Sequence, residues 1–199
     1  MNSFYKIKNS ITSIIPIATD EWDLIQDKIE FVTISKNEFY LKENAICNSI
    51  AFVESGLLIY FKTLDNGNEQ TTDFALAGEW VTNNHSRLNN TPSHLNIKAI
   101  ENSELLVIKH RDLLDLYEKI PRIERFSRIM IEQAYVKLVQ HSIDLQTMSA
   151  SDRYLKLLTT YPDLFQFVPL YHIANYLGIA PKSLSRIRNS IFSSNKQFW

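Results

Sequence analysis

LYHIANYLGIAPKSLSRIRNSI, Leu170 to Ile191, reads as two short helices joined by a tight turn at Gly178. Ile173 and Leu177 lie one helical turn apart, and Leu184 and Ile187 share a face, so the two helices can close on a small core that also takes Ile179. Ala174 stands where a larger side chain would hold the second helix away. Gly178 can end the first helix in the left-handed conformation without a Cβ penalty. Pro181 suits the first turn of the second helix, where its missing N–H is not needed. The outward face of that helix offers Lys182, Ser183, Ser185, Arg186 and Asn189, residue types that reach base edges and phosphates in a major groove. An ordinary helical hairpin also carries one glycine. The combination with Ala174 and a cationic outward face points instead to a DNA-binding helix-turn-helix.

Charge is distributed accordingly. The 199 residues carry a net charge of −1, which by itself would not suggest a nucleic-acid binder. Residues 1–150 hold 15 Lys+Arg against 20 Asp+Glu, whereas residues 151–199 hold 6 against 2. Phosphate attraction is therefore local to the helix-turn-helix, and an acidic front part discourages other orientations on DNA. A hydrophobic content of 45% in a chain of this length supports one large or two modest domains.

Several function classes drop out. The single cysteine, Cys47, rules out intrachain disulfides, a cysteine-based zinc finger and a four-cysteine iron–sulfur cluster within one chain. Glu43 and Lys42 beside it give no case for an activated thiol. The four glycines are scattered, so neither a phosphate-cradling loop nor a dinucleotide fingerprint can be built. No HExxH or GxSxG occurs, and the reading is of a non-enzyme. His85, His94 and His110 lack the spacing of a ready-made ligand set, so no metal and no cofactor is expected. No run is long enough to cross a bilayer, and Ile11–Ala18 is too short and broken by Pro16 to be a leader; the expected location is cytoplasmic, without membrane.

Along the chain, the first 30 residues read as helical, with Asp20 capping a helix whose Trp22, Ile25 and Ile29 share a face. Short β-rich runs follow at 31–34, 39–41, 50–53, 56–64, 71–76 and 105–108. Asn66-Gly67 suits a type I′ hairpin with both central residues at positive φ. Strands of this length and spacing indicate a sandwich or small barrel. Asn83–Pro92 has few apolar residues and reads as a loop. From Leu113 a helical period resumes, with Pro121 dividing a short helix from a long one of about Ile123–Leu145. Phe126 and Met130 make one apolar stripe of that long helix, and Ile131, Tyr135 and Leu138 another. One stripe can cover its own β domain while the other requires a partner chain. His141 belongs to a polar face or to the dimer contact. Ser149 or Ser151 can cap the next helix, which Tyr161-Pro162 ends. After Ile191 the remaining FSSNKQFW suffices for a ragged end or one short strand, too little for a two-stranded wing.

Taken together, a β sandwich, a long helix and a C-terminal helix-turn-helix resemble the Crp/Fnr superfamily of bacterial transcription regulators. VESGLLIYF (53–61), the turn at Asp65–Asn68 and AGEW (77–80) are similar to that family's β-roll. DRYLKLLTTYPDLF (152–165) and VPLYHIANYLGIAPKSLSRIR (168–188) resemble the form common in Bacteroidetes-type bacteria. The resemblance implies an α+β chain. Residues 1–112 would form an antiparallel, jelly-roll-like β-roll sensor with N-terminal helices, 113–147 a dimerisation helix, and 148–199 a winged-helix-like DNA-binding domain with the wing short or absent. It implies a homodimer on a pseudo-palindromic duplex operator, with RNA polymerase as a further partner.

Carried over by position, Arg186 matches the family's base-reading arginine and Ser185 its neighbour, with Lys182 and Ser183 completing the base-reading set. The family's frequent base-reading glutamate falls at Lys182, so a group that accepts from cytosine is replaced by one that prefers guanine or phosphate. Tyr171, His172, Arg188 and Asn189 are expected near phosphates, the first two by the N–H-rich start of the first helix. In the sensor half, Gly78, Glu79 and His94 mark the candidate effector pocket. The arginine that holds a cyclic phosphate in cyclic-AMP-binding relatives is missing: the aligned pair is Ser93-His94. A buried phosphate without its cation is strongly disfavoured, so cyclic AMP is not the expected effector, and Gly78-Glu79 reads as a turn kept for β-roll geometry. A small-molecule sensor whose helix-turn-helix is not the main activity is the alternative.

Overall fold

The computed structural model describes residues 4–162 and 164–195. In chain order it comprises α1 (Tyr5–Thr12), α2 (Thr19–Gln26), β1 (Glu30–Ile34), β2 (Phe39–Leu41), β3 (Ser49–Ser55), β4 (Leu57–Thr63), β5 (Glu69–Leu76), β6 (Trp80–Val81), α3 (Asn84–Asn89), β7 (Asn96–Ala99), β8 (Ser103–Lys109), α4 (His110–Lys119), α5 (Pro121–Thr147), α6 (Ala150–Thr160), α7 (Leu164–Phe167), α8 (Leu170–Tyr176) and α9 (Pro181–Asn195). Two compact units result. One holds the residues up to Thr63 and Asp73–Gln133; the other holds Leu64–Thr72 and the residues from Ala134 onward, so the changeover falls inside α5.

The first unit is a sandwich of two four-stranded sheets, ordered β1-β8-β3-β6 and β2-β7-β4-β5. β8 runs antiparallel to β1 and β3, β6 to β3, and β7 to β2 and β4, as in Ala51 opposite Val107 and Leu58 opposite Ala99. Strand alternation explains why residues 105–108 form an unbroken apolar run. Leu105 and Val107 point between the sheets with Ala51, Val53 and Ile97. Leu106 and Ile108 point the other way, with Phe52, into a second core built by Ile7, Ile11, Trp22, Ile25, Leu113, Leu116, Ile123 and Phe126. Both faces of this sheet are buried, which favours continuous hydrophobicity over alternation. Pro121 is the first residue of α5, and the expected stripe of Phe126 and Met130 packs on this second core.

Four local expectations are corrected. The loop expected at Asn83–Pro92 contains helix α3, with the Asn83 side chain accepting from Ser86 N and Asn90 at φ 51° ending it. Its buried anchors are Ser86 and Arg87, so no hydrophobic period marks it. The 65–68 turn is not type I′. Gly67 N donates to Leu64 O and Leu64 N to Asn68 O, and Gly67 has φ +80° while Asn66 is not among the positive-φ residues. That is a three-residue loop with a type I turn and a glycine bulge, which the same Asn-Gly pair also satisfies. Asp20 does not cap α2: Ala18 occupies the cap and its N–H donates to Glu21 Oε2. The tail after Ile191 continues α9 to Asn195, so no strand forms among its described residues; residues 196–199 lie outside the described part. Strands β6 and β7 carry no period-2 signal in the sequence, since the first is only two residues long and the second, of four, is interrupted by Lys98.

Candidate nucleic-acid interface

The second unit is assembled on Tyr154, Leu157, Leu164, Val168, Ile173, Ala174, Leu177 and Leu184, all buried. Ala174 and Leu184 have no exposed surface, which fits the need for close approach of α8 and α9. Ile187 is half-buried. Gly178 adopts φ +68°, and a Cβ there would meet Leu145 Cδ2 at 3.2 Å. Glycine is thus required twice over, by the left-handed backbone and by the neighbouring leucine. Arg153 fastens the same turn. Its Nε and Nη2 donate to Leu177 O at 3.1 and 2.9 Å, and Nη1 donates to Met148 O.

On α9, Lys182, Ser185, Arg186 and Asn189 are exposed and follow the i, i+3, i+4, i+7 rule, so they share one face. Ser183 and Arg188 are half-buried and lie to either side of it. The Arg188 Nε–H is buried, with no acceptor among the described residues. The Ser185 hydroxyl donates back to Pro181 O at 3.1 Å. The structure therefore brings four of the expected residues onto one face and leaves two at its margins.

The start of α8 differs from expectation. His172 is buried and shares a 2.8 Å hydrogen bond with Thr71 Oγ1, so its ring does not face outward. Tyr171 is exposed, but its hydroxyl donates to Glu69 O at 2.8 Å, and Asn175 Nδ2 donates to the same carbonyl at 2.7 Å. Gln70 Nε2 returns a bond to Asn175 O. The Leu64–Thr72 segment clamps α8 through these polar contacts. Residues a hundred positions apart make them, and no local pattern in the sequence foretells them.

Within α5, Ile131, Tyr135, Val136, Leu138, Val139, Ile143 and Leu145 are exposed, with Tyr135 and Leu138 about two-thirds accessible. His141 is on a different face, its ring stacked on Tyr176 at 4.2 Å between centroids and 12° between planes.

In the first unit the candidate effector residues have separate surroundings. Gly78 N donates to Val53 O, and Glu79 Oε2 accepts from Leu76 N at 2.9 Å, closing the turn between β5 and β6. Ser93 is buried, accepts from Asn83 Nδ2 and donates to Leu95 O. His94 is exposed and lies edge-to-face against His85, 5.0 Å between ring centres, a proximity that their nine-residue spacing did not suggest. Arg87 is buried, with Nη1 on His110 Nδ1 at 3.1 Å and Nη2 donating to Asn84 Oδ1. Burial, and then the Arg87 charge, hold the His110 pKa below its usual 6.5. Cys47 is buried, with its thiol 3.4 Å from Ser49 O. Among the described residues no group of three or more His, Cys, Asp or Glu could hold a metal ion. None of the described helices is long and apolar enough to cross a membrane.

Residues 31–120 match the cyclic nucleotide-binding domain family. The chain is 26% identical over 165 residues to the transcriptional activator protein anr of Pseudomonas aeruginosa, covering 77% of this chain and 67% of that protein. Among solved structures it is similar to FixK2 from Bradyrhizobium japonicum, with a TM-score of 0.72 at 17% identity over 84% of this chain and 86% of that one. The regulator CLP of Xanthomonas campestris gives a TM-score of 0.70 at 13% identity, covering 89% and 93% of the two chains. These structural likenesses concern the fold. Residues 31–120 thus carry the match to a cyclic nucleotide-binding domain, while the chain is similar in sequence to a transcriptional activator and in fold to regulators of the Crp/Fnr family.

Proposed function

We propose that the protein binds duplex DNA sequence-specifically as a homodimer, with α9 of each subunit in a major groove. The observation that carries this is the exposed face of Lys182, Ser185, Arg186 and Asn189 on a helix held close to α8 by Ala174 and Leu184. Arg186 and Lys182 would read guanine edges, with Ser183 and Ser185 beside them, while Asn189, Arg188 and Tyr171 would meet phosphates. His172 has no such role in this reading, because it is buried against Thr71. Residues 1–112 would serve as the sensor, 113–147 as the pairing helix and 148–199 as the DNA-binding part. The apolar stripe of α5 supports the pairing, since exposed leucine and valine at helical spacing call for a second copy.

Cyclic AMP is not the effector in this reading. Ser93 is tied to Asn83 and Leu95, and the nearby guanidinium of Arg87 is committed to His110 and Asn84. The test is selection from randomised duplexes followed by titration of the Arg186→Ala variant. A preferred site should emerge, and the variant should bind it about 10- to 100-fold more weakly while relaxing one position, the loss of about 1–3 kcal/mol expected for a bidentate base contact. Unchanged affinity for that site would overturn the placement of α9.

A further inference from the structure

Beyond DNA binding, we propose that His85 and His94 form an exchangeable site for a divalent transition-metal ion of the zinc and nickel class on the first unit. His85 lies in the first turn of α3 and His94 in the segment before β7, with ring centres 5.0 Å apart and both residues exposed. Their ring nitrogens are uncommitted, since neither ring hydrogen-bonds to any described residue. The other three of the five histidines are engaged: His110 with Arg87, His172 with Thr71, and His141 in its stack on Tyr176. A zinc-bound imidazole holds its nitrogen about 2.0–2.1 Å from the ion, so two such rings at a tetrahedral angle have centres about 5.2 Å apart. The separation of the pair is close to that value.

The backbone that carries the pair is fixed on both sides. The Asn83 side chain accepts from Ser86 N and donates through Nδ2 to Ser93 Oγ at 2.8 Å, which ties together the residues just before each histidine. Ser93 N donates to Ala45 O, and Ser93 O accepts from Asn44 N. Ser86 Oγ accepts from Cys47 N and donates to Thr91 O. Little beyond the two rings is left to order when an ion binds, which lowers the entropic cost. Rotation about χ2, a broad torsion in histidine, can aim one nitrogen of each exposed ring at a shared ion. Two protein ligands are fewer than the three or four of catalytic and structural zinc sites, so water completes the shell and the affinity is moderate. Imidazole suits zinc and nickel, whereas magnesium and calcium take oxygen ligands.

An ion held there links α3 to the segment entering β7 and stabilises that arrangement by mass action. Any use of the ion as an effector of DNA binding rests on the DNA-binding reading; the metal binding itself does not, and is measured without DNA.

The experiment is calorimetric titration of the untagged full chain with Zn²⁺, with Mg²⁺ as control, repeated on His85→Gln, His94→Gln and the double variant. Proton NMR with paramagnetic Ni²⁺ follows the histidine ring signals, assigned with the same variants. Saturable Zn²⁺ binding is expected at about 10–500 µM and about one ion per chain, with Mg²⁺ at least about tenfold weaker. Each single variant should weaken that binding about tenfold or more. The double variant should lose little beyond either single one, because both rings hold the same ion. Ni²⁺ should broaden the His85 and His94 signals together, ahead of those of His110, His141 and His172. Both residues are on the surface and their glutamine variants leave the fold intact, so undiminished Zn²⁺ binding in either one overturns the proposal. Absence of saturable binding, equal affinity for Mg²⁺, or earlier broadening of another histidine overturns it as well.

Discussion

At the scale of single residues, polar burial marks where this chain departs from its own patterns. Arg87 sits in a segment of HSRLNN that reads as solvent-exposed, yet its guanidinium is buried and donates to His110 Nδ1. That geometry requires His110 to be neutral, because a protonated Nδ1 cannot accept and would face a fixed cation. The folded His110 therefore takes up its proton at lower pH than the unfolded chain does. Its contribution to stability is fully present above about pH 6.5 and is lost as pH falls below that toward the depressed folded value. Urea unfolding between pH 8 and pH 5.5 should show a decline that is shallower in His110→Gln, whose side-chain oxygen can still accept from Arg87. Identical pH profiles would show that His110 titrates alike in both states. Gly178 illustrates the opposite case. Its role follows from its residue type and position alone, and the φ of +68° agrees with it.

At the scale of elements, α5 is the informative one. Its 27 residues carry Phe126 and Met130 on the first unit's core and Tyr135, Leu138 and Val139 in solvent. Two apolar stripes on one helix were legible from spacing, as was the need for something to cover the second. Leu138→Glu places a charge in the middle of the exposed stripe and should weaken self-association at least about tenfold, or about 1.4 kcal/mol, as read by sedimentation equilibrium. The variant should remain folded, since Leu138 has no place in the monomer's core. An unchanged association constant would mean that another surface pairs the chains. The hairpin at 64–68 is a smaller lesson at the same scale: Asn66-Gly67 announced a reversal, but loop length and twist of the flanking strands chose a bulged three-residue form.

At the scale of the whole molecule, charge asymmetry and the proposed two-fold pairing set the expected behaviour on DNA. With the cationic excess confined to residues 151–199, specific binding should weaken steeply with salt, the slope of log K against log salt being about −0.9 per phosphate neutralised. Half-sites should lie about one helical turn apart, 10–10.5 base pairs between centres. Footprinting of the selected operator checks both; a single unpaired half-site would remove the two-fold reading. The sequence by itself determined the class of architecture and the location of the helix-turn-helix, because period-2 and period-3.6 hydrophobicity, Gly178, Pro181 and Ala174 act through local backbone geometry and near-neighbour packing. Tertiary structure alone decided that α3 is a helix around a buried Arg87, that His172 turns inward to Thr71, and that His85 meets His94. Those features arise from side chains separated by up to about a hundred positions, and their energy comes from desolvation and hydrogen-bond pairing that no local period encodes.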